Sequence, residues 1–235
     1  MKLLREEASG LECLDQPKLD PSELRVALRD VERLNHWFGG AHCVLQEEER
    51  ISRERGLTGA VRVLDVGSGG ADIPRALIRR GKLNGLQVHS VACDRHEQVS
   101  SVAADFCGGE ASISILRADA LAPPFAPGSF DFVTCSLMLH HLAEDEVLRL
   151  LEAVRPLAGQ ALILCDLERS GRAYAGVWLA TRLFCRSRIT RHDGPVSVRR
   201  AYTITELTAL ARRAGCANMR WSRRAFFRVV GVLEV

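Results

Sequence analysis

Acidic side chains set around a glycine-rich turn carry the first chemical signal in this chain. The stretch Val63-Leu64-Asp65-Val66-Gly67-Ser68-Gly69-Gly70-Ala71-Asp72 places that turn directly behind an apolar run. Such a turn lets a ligand come close to the backbone at the carboxyl edge of a sheet. Asp65 stands two residues before Gly67, where it would repel a pyrophosphate and attract an ammonium group. Asp72 occupies the third glycine position of the dinucleotide fingerprint and does not help a diphosphate at a helix start. Asp94 closes the run Val91-Ala92-Cys93, and an acid at a strand tip can accept both hydroxyls of a ribose. Asp119, after Leu116-Arg117-Ala118, is suited to an adenine amino group. Farther on, Leu139-His140-His141-Leu142 supplies two imidazoles. Their unperturbed pKa lies near operating pH, which suits a general base; capping the next helix is the plainer role.

These residues need elements to hold them. Asp20-Pro21-Ser22-Glu23 reads as a helix start, and Leu24, Ala27, Leu28, Val31 and Leu34 continue on one face at helical spacing. Gly39-Gly40 breaks that helix, and a second is expected from about Ala41 to Arg53. Strands and helices then alternate: strand 61–66, helix 73–80, strand 87–93, helix 97–106, strand 112–117, strand 130–136, helix 144–155 and strand 161–166. Near-continuous apolar strands separated by such helices imply parallel units in a sheet covered on both faces. Residues 172–186 read as a helix, Ser187–Ser197 as a polar loop, and Thr203–Gly215 as a further helix. Two β-rich segments, 218–223 and 226–235, lie close enough for an antiparallel hairpin.

In this order the motifs closely resemble the class I S-adenosylmethionine (SAM)-dependent methyltransferases. The resemblance covers about residues 60–167: the D-x-G-x-G turn, the acid ending strand two, the Asp119-Ala120 step, and Pro127-Gly128-Ser129-Phe130-Asp131 leading into strand four. It implies a Rossmann-like α/β fold, a seven-stranded, mostly parallel sheet with a C-terminal antiparallel hairpin and an N-terminal helical cover. It implies SAM as cofactor, with Asp65, Gly67 and Gly69 at the methionine end and Asp94 on the ribose. Asp119 and the Ala120 backbone would hold the adenine, Arg95 would flank its face, and Ser136 would lie beside the cofactor. Small-molecule members with a His before a Leu at this point can use it in catalysis, which puts His141 ahead of His140. The segment Asn35-His36-Trp37-Phe38-Gly39-Gly40-Ala41-His42 resembles the Y-D-x-x-N…S-x-G-x-H-R segment of quinone-biosynthesis C-methyltransferases, with Val31 for the Tyr and Cys43 for the Arg. The whole chain is also similar to bacterial small-molecule methyltransferases found beside aromatic polyketide pathways. On this reading residues 1–58 form the cover and 59–235 the methyltransferase domain, with 170–202 an insertion over the acceptor pocket. Trp37, Phe38, Met138, His192 and Tyr202 would touch the acceptor, a phenolic, quinol or polyketide-like compound, with Phe184 in an apolar wall. His192, oriented by Asp193, is a secondary candidate for the base; a plain polar turn is the other reading of Arg191–Pro195.

Composition sets outer limits. Of 235 residues, 47% are apolar and 26% charged, ordinary for a globular protein. No apolar run reaches the roughly 18 residues that span a bilayer, and the acids at Glu6 and Glu7 do not suit a secretory leader. The eight cysteines are scattered with no CxxC, which reads as reduced core thiols of a cytoplasmic protein, without metal or disulfides. Residues 169–228 hold 14 Arg against Asp193 and Glu206, net +12. A basic third can meet RNA, an acidic protein or an anionic membrane surface, so an RNA or protein methyltransferase is the competing function. Against a nucleic-acid substrate, strand four ends Cys135-Ser136-Leu137-Met138, not in the N/D-P-P-Y motif used on exocyclic base amines. A non-catalytic binding protein of the same fold and a dinucleotide oxidoreductase stand farther off. Oligomeric state is left open by the sequence.

Overall fold

A computed structural model of the chain describes residues 12–16 and 18–235. Residues 1–11 and 17, with the first part of the expected cover, lie outside the described residues. The helices are α1 Pro21–Trp37, α2 Gly40–Glu54, α3 Asp72–Leu83, α4 Glu97–Cys107, α5 Glu144–Val154, α6 Gly171–Phe184, α7 Arg188–Arg200 and α8 Ile204–Arg213. The strands are β1 Gly59–Val66, β2 Leu86–Asp94, β3 Ile113–Arg117, β4 Phe130–Ser136, β5 Ala158–Leu167, β6 Arg220–Arg224 and β7 Arg228–Glu234. They form one seven-stranded sheet in the order β3-β2-β1-β4-β5-β7-β6. Strands β1 to β5 run parallel, and β7 pairs antiparallel with both β5 and β6. This is the expected Rossmann-like α/β architecture.

Alternate residues of the central strands feed two cores, as the period-2 geometry of a strand requires. Leu64, Val133, Leu162 and Leu164 pack against α5 and α8. Val63, Phe132, Ile163 and Val230 pack on the other face with Val44 and Ile51 of α2 and Leu77 of α3. Helix α2 is thus part of the sheet's own helical layer, while α1 packs against α2, α4 and α7. Helix α1 starts where Asp20 accepts the N–H groups of Ser22 and Glu23, and Leu24 and Leu28 pack on Val99 and Val102 of α4.

Two expectations are corrected. Residues 188–200 are helix α7, not a polar loop, with Pro195 inside it. Ser187 caps its start by accepting from the Ile189 N–H, and Gly194 lies so close to α6 that a Cβ there would sit 2.7 Å from Thr181 Cγ2. The hairpin link is Ala225-Phe226-Phe227, with Phe226 and Phe227 both left-handed at φ 57° and 62°. Among the described residues no helix is long and apolar enough to cross a membrane. All eight cysteines are free thiols.

Candidate active site

Strand order reverses between β1 and β4, and the crevice at such a switch point is where open α/β sheets bind ligands. A cavity of about 660 Å³ lies there, along the carboxyl ends of β1, β2, β4 and β5. Gly67, at the end of β1, has φ 65°, and a Cβ on it would lie 2.6 Å from Met138 Sδ. The turn needs glycine for both its conformation and its close approach.

Most of the residues singled out in the sequence come together in this cavity. Asp65, Gly67, Gly69, Asp94, Arg95, Asp119, Ala120, Ser136, Phe38, Met138, His140 and His141 all line it. Asp65 is buried and accepts from Thr134 Oγ1 at 2.6 Å. Burial pushes its carboxyl up to about 7. Asp94 accepts the Gly69 N–H at 3.1 Å and the His96 N–H at 2.9 Å, so it fastens the glycine turn to the tip of β2. Each carboxylate oxygen keeps a further acceptor site for a hydroxyl. Asp119 accepts from the Leu121 N–H at 2.9 Å and is exposed.

Trp37, His192 and Tyr202 are not in the cavity wall, which corrects their expected contact with an acceptor. Trp37 is 50% exposed and stands edge-on to Phe184 outside the cavity. Tyr202 is buried in the core against α5 and α8, and its hydroxyl donates to the Leu142 carbonyl at 2.8 Å. His192 points outward from α7, with Nδ1 2.8 Å from Asp193. Asp193 itself is buried, lines the cavity and accepts the main-chain N–H groups of Cys13 and Leu14 at 2.8 and 3.0 Å.

That clasp brings in residues no local motif had indicated. His140 is buried, its Nδ1 2.6 Å from Asp166 Oδ1 at the end of β5. Burial alone would raise Asp166, but the imidazoles of His140 and His141 and the Leu167 N–H hold it below the usual carboxylate range. His141 Nδ1 lies 3.1 Å from Asp15. Burial would raise Asp15 too, and contact with His141 and the charge of Arg200 bring it below its ordinary value. Glu12, also buried, lies 3.7 Å from the Nε2 atoms of both His140 and His141. Burial, with the charges of Asp193 and Asp15, outweighs His141 and Ser197 and puts Glu12 at about 7.

Arg228 is the second unanticipated residue. It is buried in the cavity wall and donates through Nη2 to Asn35 Oδ1 at 3.2 Å, while Asn35 Nδ2 donates to Asp72 at 2.9 Å. Its Nε and Nη1, with Ser68 Oγ and Ser136 Oγ, are buried and have no hydrogen-bond partner among the described residues. Buried polar groups left open toward a cavity are groups that a ligand satisfies. The signal for Arg228 was present: a lone Arg opens the apolar run of β7.

Residues 63–158 match the family profile described as a methyltransferase domain. No curated protein matches the chain by sequence. Among solved structures, a SAM-dependent methyltransferase from Aquifex aeolicus is similar at 19% identity over 93% of this chain and 100% of its own, with TM-score 0.60. Human N-acetylserotonin methyltransferase in complex with SAM is similar at 14% identity over 92% of this chain and 56% of its own, TM-score 0.63. Magnesium protoporphyrin IX methyltransferase from Synechocystis PCC 6803, with S-adenosylhomocysteine (SAH) bound, is similar at 14% identity over 83% of each chain, TM-score 0.53. Residues 63–158 thus carry a methyltransferase domain, and the chain as a whole has the fold of these SAM-dependent methyltransferases.

Proposed function

We propose that this chain is a SAM-dependent methyltransferase acting on a small, largely apolar hydroxylated acceptor, at the oxygen or carbon of a phenol, quinol or polyketide-like enol. One observation carries the reading: a single cavity is lined both by the acids Asp65, Asp94 and Asp119 and by an imidazole fixed by a buried carboxylate, His140 on Asp166. Relatives of the same fold that act on small molecules, such as N-acetylserotonin methyltransferase, support it.

The residues fit the cofactor. Asp65 would take its ammonium group, Asp94 its ribose, Asp119 and the Ala120 backbone its adenine edge, and Arg95 would flank the adenine face. Arg228, a buried cation short of partners, is the counter-charge for its carboxylate, and Ser68 and Ser136 offer free hydroxyls nearby. Bound there, SAM supplies the electrophilic methyl group, and its sulfur–carbon bond breaks as the bond to the acceptor forms. The chain's own work is alignment, exclusion of water and removal of a proton. Asp166 takes the Nδ1 proton of His140 in hydrogen bonding, which leaves Nε2 as an acceptor. The acceptor's hydroxyl proton goes to that atom, so His140 is the base and His141, bonded to Asp15, its neighbour. Phe38, Met138, Phe226 and Phe227 give an apolar wall that suits a flat or aliphatic acceptor more than a phosphate.

The test is methyl transfer from radiolabelled SAM to a panel of phenols, quinols, RNA and protein. Labelling of phenols or quinols is expected. Labelling confined to RNA or protein would overturn the reading in favour of the Arg-rich third as a binding surface.

A further inference from the structure

The His140–His141–Glu12 cluster is arranged for more than one proton. The two rings lie 4.3 Å apart with planes 35° from parallel, so they present their edges in nearly the same direction. Each Nδ1 is turned to a carboxylate, His140 to Asp166 at 2.6 Å and His141 to Asp15 at 3.1 Å. With both Nδ1 atoms donating, both Nε2 atoms carry lone pairs, and both face the carboxylate of Glu12 at 3.7 Å. Three acceptors thus converge on one point. Glu12 Oε1 is buried with no hydrogen-bond partner among the described residues, and Ser197 Oγ donates to Oε2 at 3.0 Å. Acceptors that face one another in a buried place need a shared proton or a bound cation between them.

We infer that Glu12, His140 and His141 form the protein side of a divalent-metal site whose open position faces the acceptor cavity. The ligand atoms lie within 4.8 Å of one another. Around a tetrahedral Zn²⁺ with bonds of about 2.0–2.1 Å, neighbouring ligand atoms stand roughly 3.3 Å apart. His140 Nε2 stands 3.7 Å from Glu12 Oε1 and His141 Nε2 3.7 Å from Oε2, with one ligand atom from each residue within 4.8 Å of the others, so closing on one ion takes shifts of up to roughly 1.5 Å. Two imidazoles and one carboxylate with a fourth position open is a ligand set of catalytic zinc, and other borderline divalent ions accept it. Carboxylates behind both imidazoles are the outer partners that fix ligand orientation in metal sites. Asp15 and Asp166 hold that place here.

Binding of the ion stands apart from the proposed acceptor; only its use there rests on that reading. The acceptor hydroxyl takes the open position, ionises on the metal and releases its proton to water, as metal-bound water does. In the metal-free protein His140 keeps the role of base.

The test uses the full chain stripped with a chelator, titrated with Zn²⁺ by calorimetry and with Co²⁺ by visible ligand-field absorption. One ion per chain is expected, with Co²⁺ bands that change when a catechol or phenol is added. Glu12→Gln and His141→Gln should lose the bands, and Asp166→Asn should weaken Zn²⁺ affinity about 10–100-fold. SAH affinity, measured on each variant, should be unchanged, which shows that the variants are folded. A second group, Cys13 with His192 and Asp193, is the internal control. If Cys13→Ser removes the ion while Glu12→Gln keeps it, the inferred site is wrong, and absence of any ion is equally fatal. If no ion binds and the stripped chain still methylates phenols, the acceptor reading survives alone. If the ion binds as described and only RNA or protein is methylated, the metal site survives and the acceptor reading falls.

Discussion

A carboxyl group that burial holds near neutrality ties cofactor binding to protons. Asp65, raised to about 7, is largely protonated in the ligand-free protein at pH 6. An incoming ammonium group favours its ionised form, so binding of SAH releases a proton below that pKa. Affinity for SAH should therefore rise between pH 6 and pH 8, by up to about tenfold per unit at the acid end. Calorimetry in two buffers of different ionisation enthalpy measures the proton release, and a flat profile would place the ammonium group elsewhere. Stability runs the other way. Because the folded pKa lies above the ordinary carboxylate value of 3.8, the stabilisation is complete below 3.8 and is lost as pH rises through about 7. The ligand-free protein should melt at a lower temperature at pH 8 than at pH 6, with SAH narrowing the gap. On the proposed placement of the ribose, Asp94→Ala removes two charge-assisted hydrogen bonds, each worth roughly 1.5–3 kcal/mol, so SAH affinity should drop at least about tenfold. His140→Gln should leave SAH affinity intact and lower turnover of a phenol by about 10²–10⁴, with partial recovery at high pH. Full activity of that variant would remove the imidazole from the mechanism.

At the scale of elements, what the sequence disclosed depended on whether the signal was local. Strand β4 was readable to the residue, Phe130–Ser136, because an apolar run between a turn and a polar step has one interpretation. Asp65, Asp94 and Asp119 could be picked out as a set because each falls within two residues of the carboxyl end of β1, β2 or β3. Helix α7 was not, since Gly194-Pro195 is ordinarily a breaker and the reason for the glycine lies on another helix. A Cβ at Gly194 would lie 2.7 Å from Thr181 Cγ2 and 3.1 Å from Val177 Cγ1. Glu12 had no local signal at all: its partners are 128 and 129 residues away, at His140 and His141. Gly194→Ala should push α6 and α7 apart and destabilise the protein by about 1–3 kcal/mol. Val177 and Thr181 line the cavity, so the variant should raise KM for the acceptor more than it weakens SAH binding. Thermal unfolding and steady-state kinetics on one preparation decide whether both effects appear.

The molecule as a whole spends much of its arginine on itself. Arg169 pairs with Glu206 at 2.5 Å, Arg223 with Glu168 at 2.6 Å, and Arg200 donates to the carbonyls of His140 and His141. The basic third is in good part a set of internal struts. The cavity wall, by contrast, is completed from far away in the chain, by Glu12, Leu14 and Asp15. Removing residues 1–18 should leave a folded protein that binds SAH with unchanged affinity and turns over poorly; full turnover would show that this segment is dispensable. The clasp that holds the segment has a consequence for which sequences the fold can accept. Asp193 grips residues 13 and 14 by their peptide N–H groups, which every residue except proline possesses. A saturation library should therefore find position 13 permissive to almost anything but proline and position 193 closed to nearly everything but aspartate. Glu12 and Asp15 would keep their stations while the letters between them drift.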